Sequence, residues 1–277
     1  MDLIQKAVER MPIETYVDQL EPENQDAVIW RFMDTRKFHD LMLSGELYFC
    51  RADLFSDESE GLAPQEYVPI LGLNPFDLND RRKIVDSIGC LAQFREAFYI
   101  SCWHLFRDET SKMWEDYGKD GVAIVSRYSA LKAALNAMQD RAFLGAMRYG
   151  SCHLTGWNVF RFITTKRLMY AEEREVRAFL WIIDPHAGIN RHIDENDRPH
   201  ERPLTPPPDR VLKGHRRTVD LKSLITEVVV SPSAASEGVD RIQQFVRENG
   251  YDTPVRPSAL APFRALLPGT LFQTPKS

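Results

Sequence analysis

The segment from Glu173 to Ile183, EREVRAFLWII, constrains the fold more than any other stretch of this chain. Its polar and apolar residues alternate with a period of two, which predicts a β-strand. Glu173, Glu175 and Arg177 then share one face, and the other face carries Val176, Ala178, Leu180 and Ile182. At a rise of roughly 3.3 Å per residue, the two carboxylates lie only about 7 Å apart. Such crowding requires a nearby cation, for which Arg177 is the local candidate; the alternative is an edge strand with a solvated charged face.

The composition is that of an ordinary globular protein without a membrane span. Of the 277 residues, 43% are hydrophobic and 27% are charged. The net charge of -5 argues against nucleic-acid binding that is driven by the overall charge of the protein. No run approaches the roughly 18 apolar residues of a membrane helix, and the amphipathic, acidic N-terminus lacks the apolar centre of a secretory signal. Four widely spaced cysteines never form C-x-x-C, so we expect reduced thiols, no zinc site and a cytoplasmic location.

The order of the periodic segments predicts an α+β fold with mixed, largely antiparallel central sheets and flanking helices. We divide the chain into a helical extension at 1–26, a single domain at 27–262 and a C-terminal tail at 263–277. Within the domain, the proline-rich stretch at 185–217 is expected to be a long exposed loop or a lid. Strands are predicted at 27–33, 47–51, 98–106, 121–128, 148–153, 173–183, 224–232 and 254–258, and helices at 35–43, 77–94, 111–118, 130–138 and 236–250. Asp34 or Thr35 can cap the first of these helices, and Gly45 fits just past its end.

Four segments, in this order, resemble a mostly bacterial family, the domain of unknown function 2971 family, over roughly residues 28–258. The first contains WRFM and an F-x-D-x-x-E-G turn, and the second contains M-W-x-x-Y-x-x-x-G-V. The third carries Lys166 and the E-x-E-x-R of Glu173, Glu175 and Arg177, and the last is DLKSLITEVVVSP followed by a helix and a strand. The chain departs from the family at Ser56, where asparagine is usual, and near Met169, where an aromatic residue is usual. The family brings no established activity.

A more distant resemblance, to ADP-ribosyltransferases, does imply an activity. Arg31 on the first strand, Tyr48 on the second and a glutamate on a late strand are similar to the Arg or His, the Ser or Tyr, and the Glu of those enzymes. The E-x-E of the arginine-modifying branch is similar to Glu173-Arg174-Glu175. The resemblance implies a split sheet core, NAD as the substrate, and a protein or nucleic-acid acceptor, as in toxins and defence effectors. It gives catalysis to Glu175 and Glu173, and contacts with NAD to Arg31, Tyr48, Arg51, Lys166 and Arg177.

The implied reaction explains why these residue types are needed. Cleavage of the nicotinamide–ribose bond builds positive charge on the ribose, as in glycoside hydrolysis. A carboxylate fixed about 4 Å away, at an effective dielectric near 20, contributes about 4 kcal/mol, or roughly three powers of ten in rate. The resemblance gives this role to Glu175, which would bind the ribose 2′-hydroxyl, and gives Glu173 the activation of the acceptor or of water. Arg31 would hold the diphosphate or ribose, and Tyr48 would stack on nicotinamide. This mechanism requires Arg31, Tyr48 and Glu175 to converge on one cleft.

The sequence also leaves structural alternatives open. Arg31 could stack on an aromatic neighbour or pair with an internal acid, Tyr48 could be a core aromatic, and Lys166 could meet a phosphate or Glu173. Asp57, which could bind a ligand together with Glu60, could instead bond its own backbone in the turn. The i,i+3 spacing of Trp114 and Tyr117 favours packing over a cofactor cage. Two other functions compete: a non-catalytic module that binds protein or nucleic acid through its loops, and a magnesium-dependent nuclease. The nuclease would use the carboxylates of Asp57, Glu60, Glu173 and Glu175. A basic cluster for a nucleic-acid or phosphorylated acceptor consists of Arg210, Lys213, His215, Arg216 and Arg217.

No motif points to three common classes of enzyme site. The chain contains no G-x-S-x-G, which speaks against the nucleophile turn of an α/β-hydrolase. It contains neither G-x-x-x-x-G-K-[ST] nor G-x-G-x-x-G, which speaks against a P-loop or a Rossmann cofactor site.

Overall fold

A nine-stranded, largely antiparallel sheet dominates the computed structural model, which describes residues 22–57, 59–62, 72–84, 94–150, 160–182, 212–234 and 236–261. The strands run in the order β11-β10-β4-β1-β3-β2-β9, with β8 on β3 and β5 on β8. All pairings in this sheet are antiparallel except β10 with β11. Its strands are β1 Val28–Met33, β2 Glu46–Arg51, β3 Phe98–Leu105, β4 Val122–Arg127, β5 Ala142–Ala146, β8 Glu175–Trp181, β9 Gly214–Thr218, β10 Glu227–Val230 and β11 Val255–Pro257. A separate parallel pair consists of β6 Arg148–Tyr149 and β7 Thr165–Lys166.

Helices flank the strands in the described part of the chain: α1 Thr35–Ser44, α2 Ser111–Met113, α3 Tyr128–Asn136, α4 Phe160–Thr164, α5 Leu221–Leu224 and α6 Ser236–Glu248. Residues 78–84 are also helical. None of the helices in the described residues is long and apolar enough to cross a membrane. The Asp34 side chain caps α1 by accepting from the Lys37 N–H at 2.8 Å, and Gly45 ends the helix at φ 67°. Both caps are those predicted, because a side-chain acceptor and a left-handed residue are local requirements.

The sheet forks on one edge of β3. Along its other edge β3 pairs with β8 from Phe98 to His104. On the forked edge, β1 pairs with β3 only at His104 and Leu105, and β2 pairs only at Tyr99 and Ile100. Beyond these contacts β1 continues onto β4 and β2 onto β9, so the two strands diverge from β3. The fork therefore lies beside the middle of β3, at residues 101–103.

The two faces of the sheet pack against separate cores. Alternation along β3 sends Tyr99 and Trp103 to the main core, together with Val176, Ala178 and Leu180 of β8. The opposite face carries an aromatic core at one end, with Phe98, Phe143, Phe160 and Phe179, and a smaller core at the other, with Trp30, Phe32 and Trp114. Charged side chains lie on this second face between its two cores.

The structure corrects several of the predicted elements. Glu173 lies in a 3-10 turn, Leu168–Glu173, and Arg174 adopts φ 43°, so the strand begins only at Glu175. That strand is not at an edge, because β3 and β5 pair with its two sides. The predicted 185–217 loop ends before β9, and β5 was not predicted. The predicted extension up to residue 21, the 185–211 part of the loop with Arg210 of the basic cluster, residue 262 and the predicted tail at 263–277 lie outside the described residues.

Candidate functional site

Five charged side chains form a cluster on the second face of the sheet, and all are almost fully buried. Glu60, Glu173 and Glu175 supply three carboxylates, whereas Lys166 and Arg177 supply two cations. The most exposed, Lys166, keeps only 8% of its side-chain surface, and Glu175 keeps 2%. With all five groups ionised, the cluster carries a net charge of -1 in a place from which water is largely excluded.

Local conformation brings these residues together from three parts of the chain. Glu175 and Arg177 are two residues apart on β8, so they project from the same face. The left-handed Arg174 turns the chain just before the strand, which brings the Glu173 carboxylate alongside Glu175. Lys166 enters from β7. Glu60 enters from a turn that ends at Gly61, whose φ is +75° and where a Cβ would lie 3.1 Å from Ile163 Cδ1.

Each cation is shared between carboxylates. Lys166 Nζ lies 2.7 Å from Glu173 Oε2, 3.2 Å from Glu175 Oε2 and 3.9 Å from Glu60 Oε2. Arg177 forms a forked pair with Glu175, with Nε 2.7 Å from Oε1 and Nη2 3.1 Å from Oε2. Its Nη2 also contacts Glu60, and its Nη1 donates to the Ile163 carbonyl at 2.7 Å. Planar, forked pairing of this kind fixes the Glu175 carboxylate in position and orientation.

The electrostatics of the two cations differ because burial and ion pairing oppose each other. Burial alone would lower the pKa of Lys166, but Glu175 and Glu173 outweigh it, so its pKa is raised and the ammonium is charged at neutral pH. Burial lowers the pKa of the Arg177 guanidinium from its ordinary value. Its paired carboxylates, Glu175 and Glu60, keep that guanidinium charged.

Four neutral groups complete the surroundings of the acids. Tyr117 donates its hydroxyl to Glu173 Oε1 at 3.1 Å, and the Glu175 N–H donates to the Tyr149 hydroxyl at 2.7 Å.

His104 Nδ1 lies 2.9 Å from the Glu173 carbonyl, which can only accept, so the imidazole proton is on Nδ1. Burial lowers the pKa of His104, which favours this neutral form. Burial, followed by the neighbouring Glu175, raises the pKa of the Cys102 thiol, which therefore stays protonated.

A π-helical turn, Trp114–Gly118, gives Tyr117 and Trp114 different roles. Trp114 is buried, as its predicted packing role requires, and its Nε1 donates to Glu109 at 2.8 Å. Tyr117 remains 44% exposed although its hydroxyl reaches the buried Glu173. Single π turns inside helices often occur at functional sites. Tyr117 is thus the described link between the surface and Glu173 on this side of the cluster.

A cavity of about 270 Å³ adjoins the cluster between the 57–62 turn and residues 161–167. Glu60 and Lys166 belong both to the cluster and to the cavity wall. At its mouth Arg167 pairs with Asp57 at 3.0 Å, and Asp57 also accepts from the Ser59 hydroxyl at 2.6 Å. Glu173 and Glu175 do not line this cavity, and Lys166 and Glu60 are the cluster residues that do.

The predicted NAD-binding residues outside the cluster lie elsewhere. Arg31 lies on the same face of β1 as Ile29 and Met33, which is the face of the sheet opposite to that of Glu175. Its Nη2 donates to the Tyr48 carbonyl at 3.3 Å, and its guanidinium lies 5.8 Å from the Trp103 ring centroid. The Tyr48 ring lies over Gly214 of β9 with the Arg216 guanidinium 5.8 Å from its centroid, and it stays 36% exposed, so Tyr48 is not a core aromatic. The structure thus brings Glu173, Glu175, Lys166 and Arg177 together, but it does not bring Arg31, Tyr48 and Glu175 to one cleft.

Arg51 and Arg177 have structural partners that leave little for a cofactor. Arg51 is buried, with Nε 2.6 Å from Asp53 Oδ1 and Nη1 donating to the Leu212 carbonyl at 3.0 Å. Arg177 has no exposed side-chain surface, so it acts on Glu175 and Glu60 and not on a ligand. Lys166 makes one of its two expected contacts, the one with Glu173, and it also lines the adjoining cavity.

Sequence reasoning missed four members of the site, and one of them had a visible signal. Glu60 stands in the F-x-D-x-x-E-G turn, which was weighed only as a set of metal ligands or as a turn that bonds its own backbone. Tyr117 was assigned to packing because of its spacing from Trp114. His104 and Tyr149 gave no local signal. Among the described residues, no group of three or more His, Cys, Asp or Glu side chains is arranged to hold a metal ion, and cations of the protein itself separate the carboxylates. This arrangement disfavours the nuclease hypothesis.

Comparisons with family models, with curated proteins and with solved structures returned no match for this chain. The two resemblances described above therefore rest on the residues and motifs quoted for them.

Proposed function

We propose that this protein cleaves the nicotinamide–ribose bond of NAD and transfers ADP-ribose to an acceptor or to water. The observation that carries the proposal is the buried excess of carboxylate over cation around Glu173 and Glu175. A preorganised negative charge in a water-excluded place favours a transition state that develops positive charge, and it does so without reorganisation during the reaction. The choice of NAD comes from the resemblance to ADP-ribosyltransferases.

The fork between β1 and β2 supports this proposal at the level of the fold. The resemblance implies a split sheet core, and the divergence of β1 and β2 from β3, which pairs with β1 at one end and with β2 at the other, supports that expectation. Glu175 begins the strand on the unforked edge, opposite His104. The proposed catalytic glutamate thus lies on β8, the strand that pairs with the unforked edge of β3.

The proposed roles differ from those expected from the sequence. Glu175, held by the forked pair with Arg177, is the carboxylate that stabilises the ribose cation. Glu173, joined to Tyr117, activates the attacking group, for which Tyr117 offers a path to the surface. The ligand approaches past Glu60 and Lys166, from the cavity, and Arg31 is a structural residue that links β1 to β2.

The test is release of nicotinamide from NAD, with Glu175→Gln compared with Glu172→Gln. Both substitutions remove one negative charge from the same segment, but Glu172 is exposed whereas Glu175 is buried in the cluster. We expect the Glu175 variant to lose about three powers of ten in rate, which corresponds to the loss of about 4 kcal/mol of charge stabilisation, and the Glu172 variant to keep its rate. The proposal is wrong if the wild-type protein releases no nicotinamide with water or with protein, RNA and DNA acceptors, or if the Glu175 variant remains as active as the wild type.

A second candidate function, a non-catalytic binding module, is favoured by one specific observation. Every carboxylate of the cluster is already paired with Lys166 or Arg177, as expected of a purely structural ion network. In that case Glu175→Gln would lower the free energy of unfolding. Neither the wild type nor any variant would release nicotinamide, because NAD would not be a substrate.

A further inference from the structure

The cavity beside the cluster has walls of mixed charge. Asp57 and Glu60 contribute carboxylates, and Arg161, Lys166 and Arg167 contribute cations. Ser59 and Thr165 add hydroxyl groups to the same wall. Asp57 is paired with Arg167 and Glu60 with Lys166, so a ligand that enters must offer both hydrogen-bond donors and acceptors in exchange for the contacts it replaces.

The chemistry of the wall matches a phosphorylated sugar. Sugar hydroxyls donate to carboxylates, and a phosphate accepts from guanidinium and ammonium groups, which bind it with strong charge-assisted hydrogen bonds. The volume of about 270 Å³ is slightly below the ~300–1,000 Å³ of sites for drug-sized ligands. It therefore suits a fragment of the size of a pentose phosphate better than an entire dinucleotide.

Lys166 joins the cavity to the acids. Its ammonium lies in the cavity wall and simultaneously contacts Glu173 at 2.7 Å and Glu175 at 3.2 Å. A phosphate that bound in the cavity would compete with both carboxylates for this one cation. Arg177 would then be the remaining cation beside the three carboxylates of the cluster. The local charge around Glu173 and Glu175 would therefore become more negative as the ligand binds.

We propose that the cavity binds a sugar phosphate and that Lys166 couples its occupancy to the charge of Glu173 and Glu175. The binding step stands without the proposed function, whereas its consequence for catalysis rests on it. If NAD is the substrate, its ribose phosphate portion occupies the cavity, and its phosphate breaks the contacts of Lys166 with Glu173 and Glu175. The ligand thereby helps to create the negative charge that stabilises the ribose cation.

Binding is tested with ribose 5-phosphate, titrated by calorimetry into the wild-type protein and into Arg167→Met. Arg167 is 54% exposed, so its replacement leaves the buried cluster intact. Lys37→Met is the matched control, because Lys37 is also an exposed cation paired with an aspartate but lies outside the cavity wall. We expect the Arg167 variant to bind about tenfold more weakly and the Lys37 variant to bind as the wild type does.

Inorganic phosphate and unphosphorylated ribose separate the two parts of the ligand. We expect both to bind more weakly than ribose 5-phosphate. Equal binding of inorganic phosphate would overturn the sugar-phosphate assignment, and so would the absence of ribose 5-phosphate binding or an unchanged affinity in the Arg167 variant.

The coupling is tested by Glu173→Gln, with Glu172→Gln as its control. Glutamine keeps the shape of residue 173 but releases Lys166 from its shortest ion pair, so ribose 5-phosphate should bind several-fold more tightly. Glu172 is the neighbouring exposed acid, and its replacement measures the general effect of one lost negative charge. Equal affinities in the two variants would contradict the coupling. These titrations involve no NAD, so their failure is distinct from a failure of NAD cleavage.

Discussion

At the scale of single residues, Arg177 determines whether the acidic cluster can exist. Its guanidinium is fully buried and is shared by Glu175, Glu60 and the Ile163 carbonyl. A buried ion pair is weak evidence of net stabilisation, since the desolvation of both partners offsets their attraction. Removing one partner is a different matter, because the remaining charge is then buried without compensation.

Replacement of Arg177 by methionine should therefore destabilise the protein strongly. Methionine keeps much of the side-chain length, but Glu60 and Glu175 would lose their shared cation, at a cost of about 3–5 kcal/mol. The free energy of unfolding is measured by urea denaturation. Arg36→Met, at an exposed position of α1, is the control and should change it little. If the two variants proved equally stable, Arg177 would not hold the cluster together.

At the scale of elements, the junction between β1 and β4 requires a residue without a side chain. Gly121 precedes β4, and a Cβ built there would lie 2.1 Å from the Met33 carbonyl oxygen and 2.9 Å from Asp34 Cα. These are backbone atoms at the end of β1 and at the cap of α1, so they cannot move aside independently. A side chain at residue 121 would force apart the strands that carry one arm of the fork.

The same substitution should thus have different effects at two glycines. We expect Gly121→Ala to lower the free energy of unfolding by about 2 kcal/mol or more, because overpacking against backbone cannot be relieved locally. Gly238→Ala lies in α6, where the contact that a Cβ would make is with the Ala234 side chain at 3.3 Å. There alanine should be neutral or stabilising, since it is the better helix former. Thermal unfolding of both variants measures the contrast, and similar losses at both positions would contradict it.

Local signals predicted the elements better than the site. Asp34 and Gly45 marked the ends of α1 because capping involves only a few adjacent residues. The period of two in EREVRAFLWII predicted β8, but it could not reveal that Arg174 adopts φ 43° and removes Glu173 from the strand. The contacts of Arg177 with Glu60 and of Tyr117 with Glu173 join residues far apart in sequence, and no local pattern encodes them.

At the scale of the whole molecule, one sheet separates two kinds of environment. Its main-core face is apolar along β3 and β8, whereas the other face holds the charged cluster between two aromatic cores. Arg31 and Glu175 belong to different faces, so the expected Arg–Tyr–Glu cleft is replaced by a site built from β7, β8 and the turn at Glu60. The central claim is that this cluster and its cavity receive NAD.

Calorimetric titration of NAD into Glu175→Gln tests that claim most directly, because the substrate should remain intact in a variant that cannot stabilise the ribose cation. We predict saturable binding to Glu175→Gln, weakened when Arg167→Met is added at the mouth of the cavity and unchanged when Lys37→Met is added instead. The account would be contradicted if a folded Glu175→Gln protein bound no NAD, or if its affinity did not respond to the replacement of Arg167.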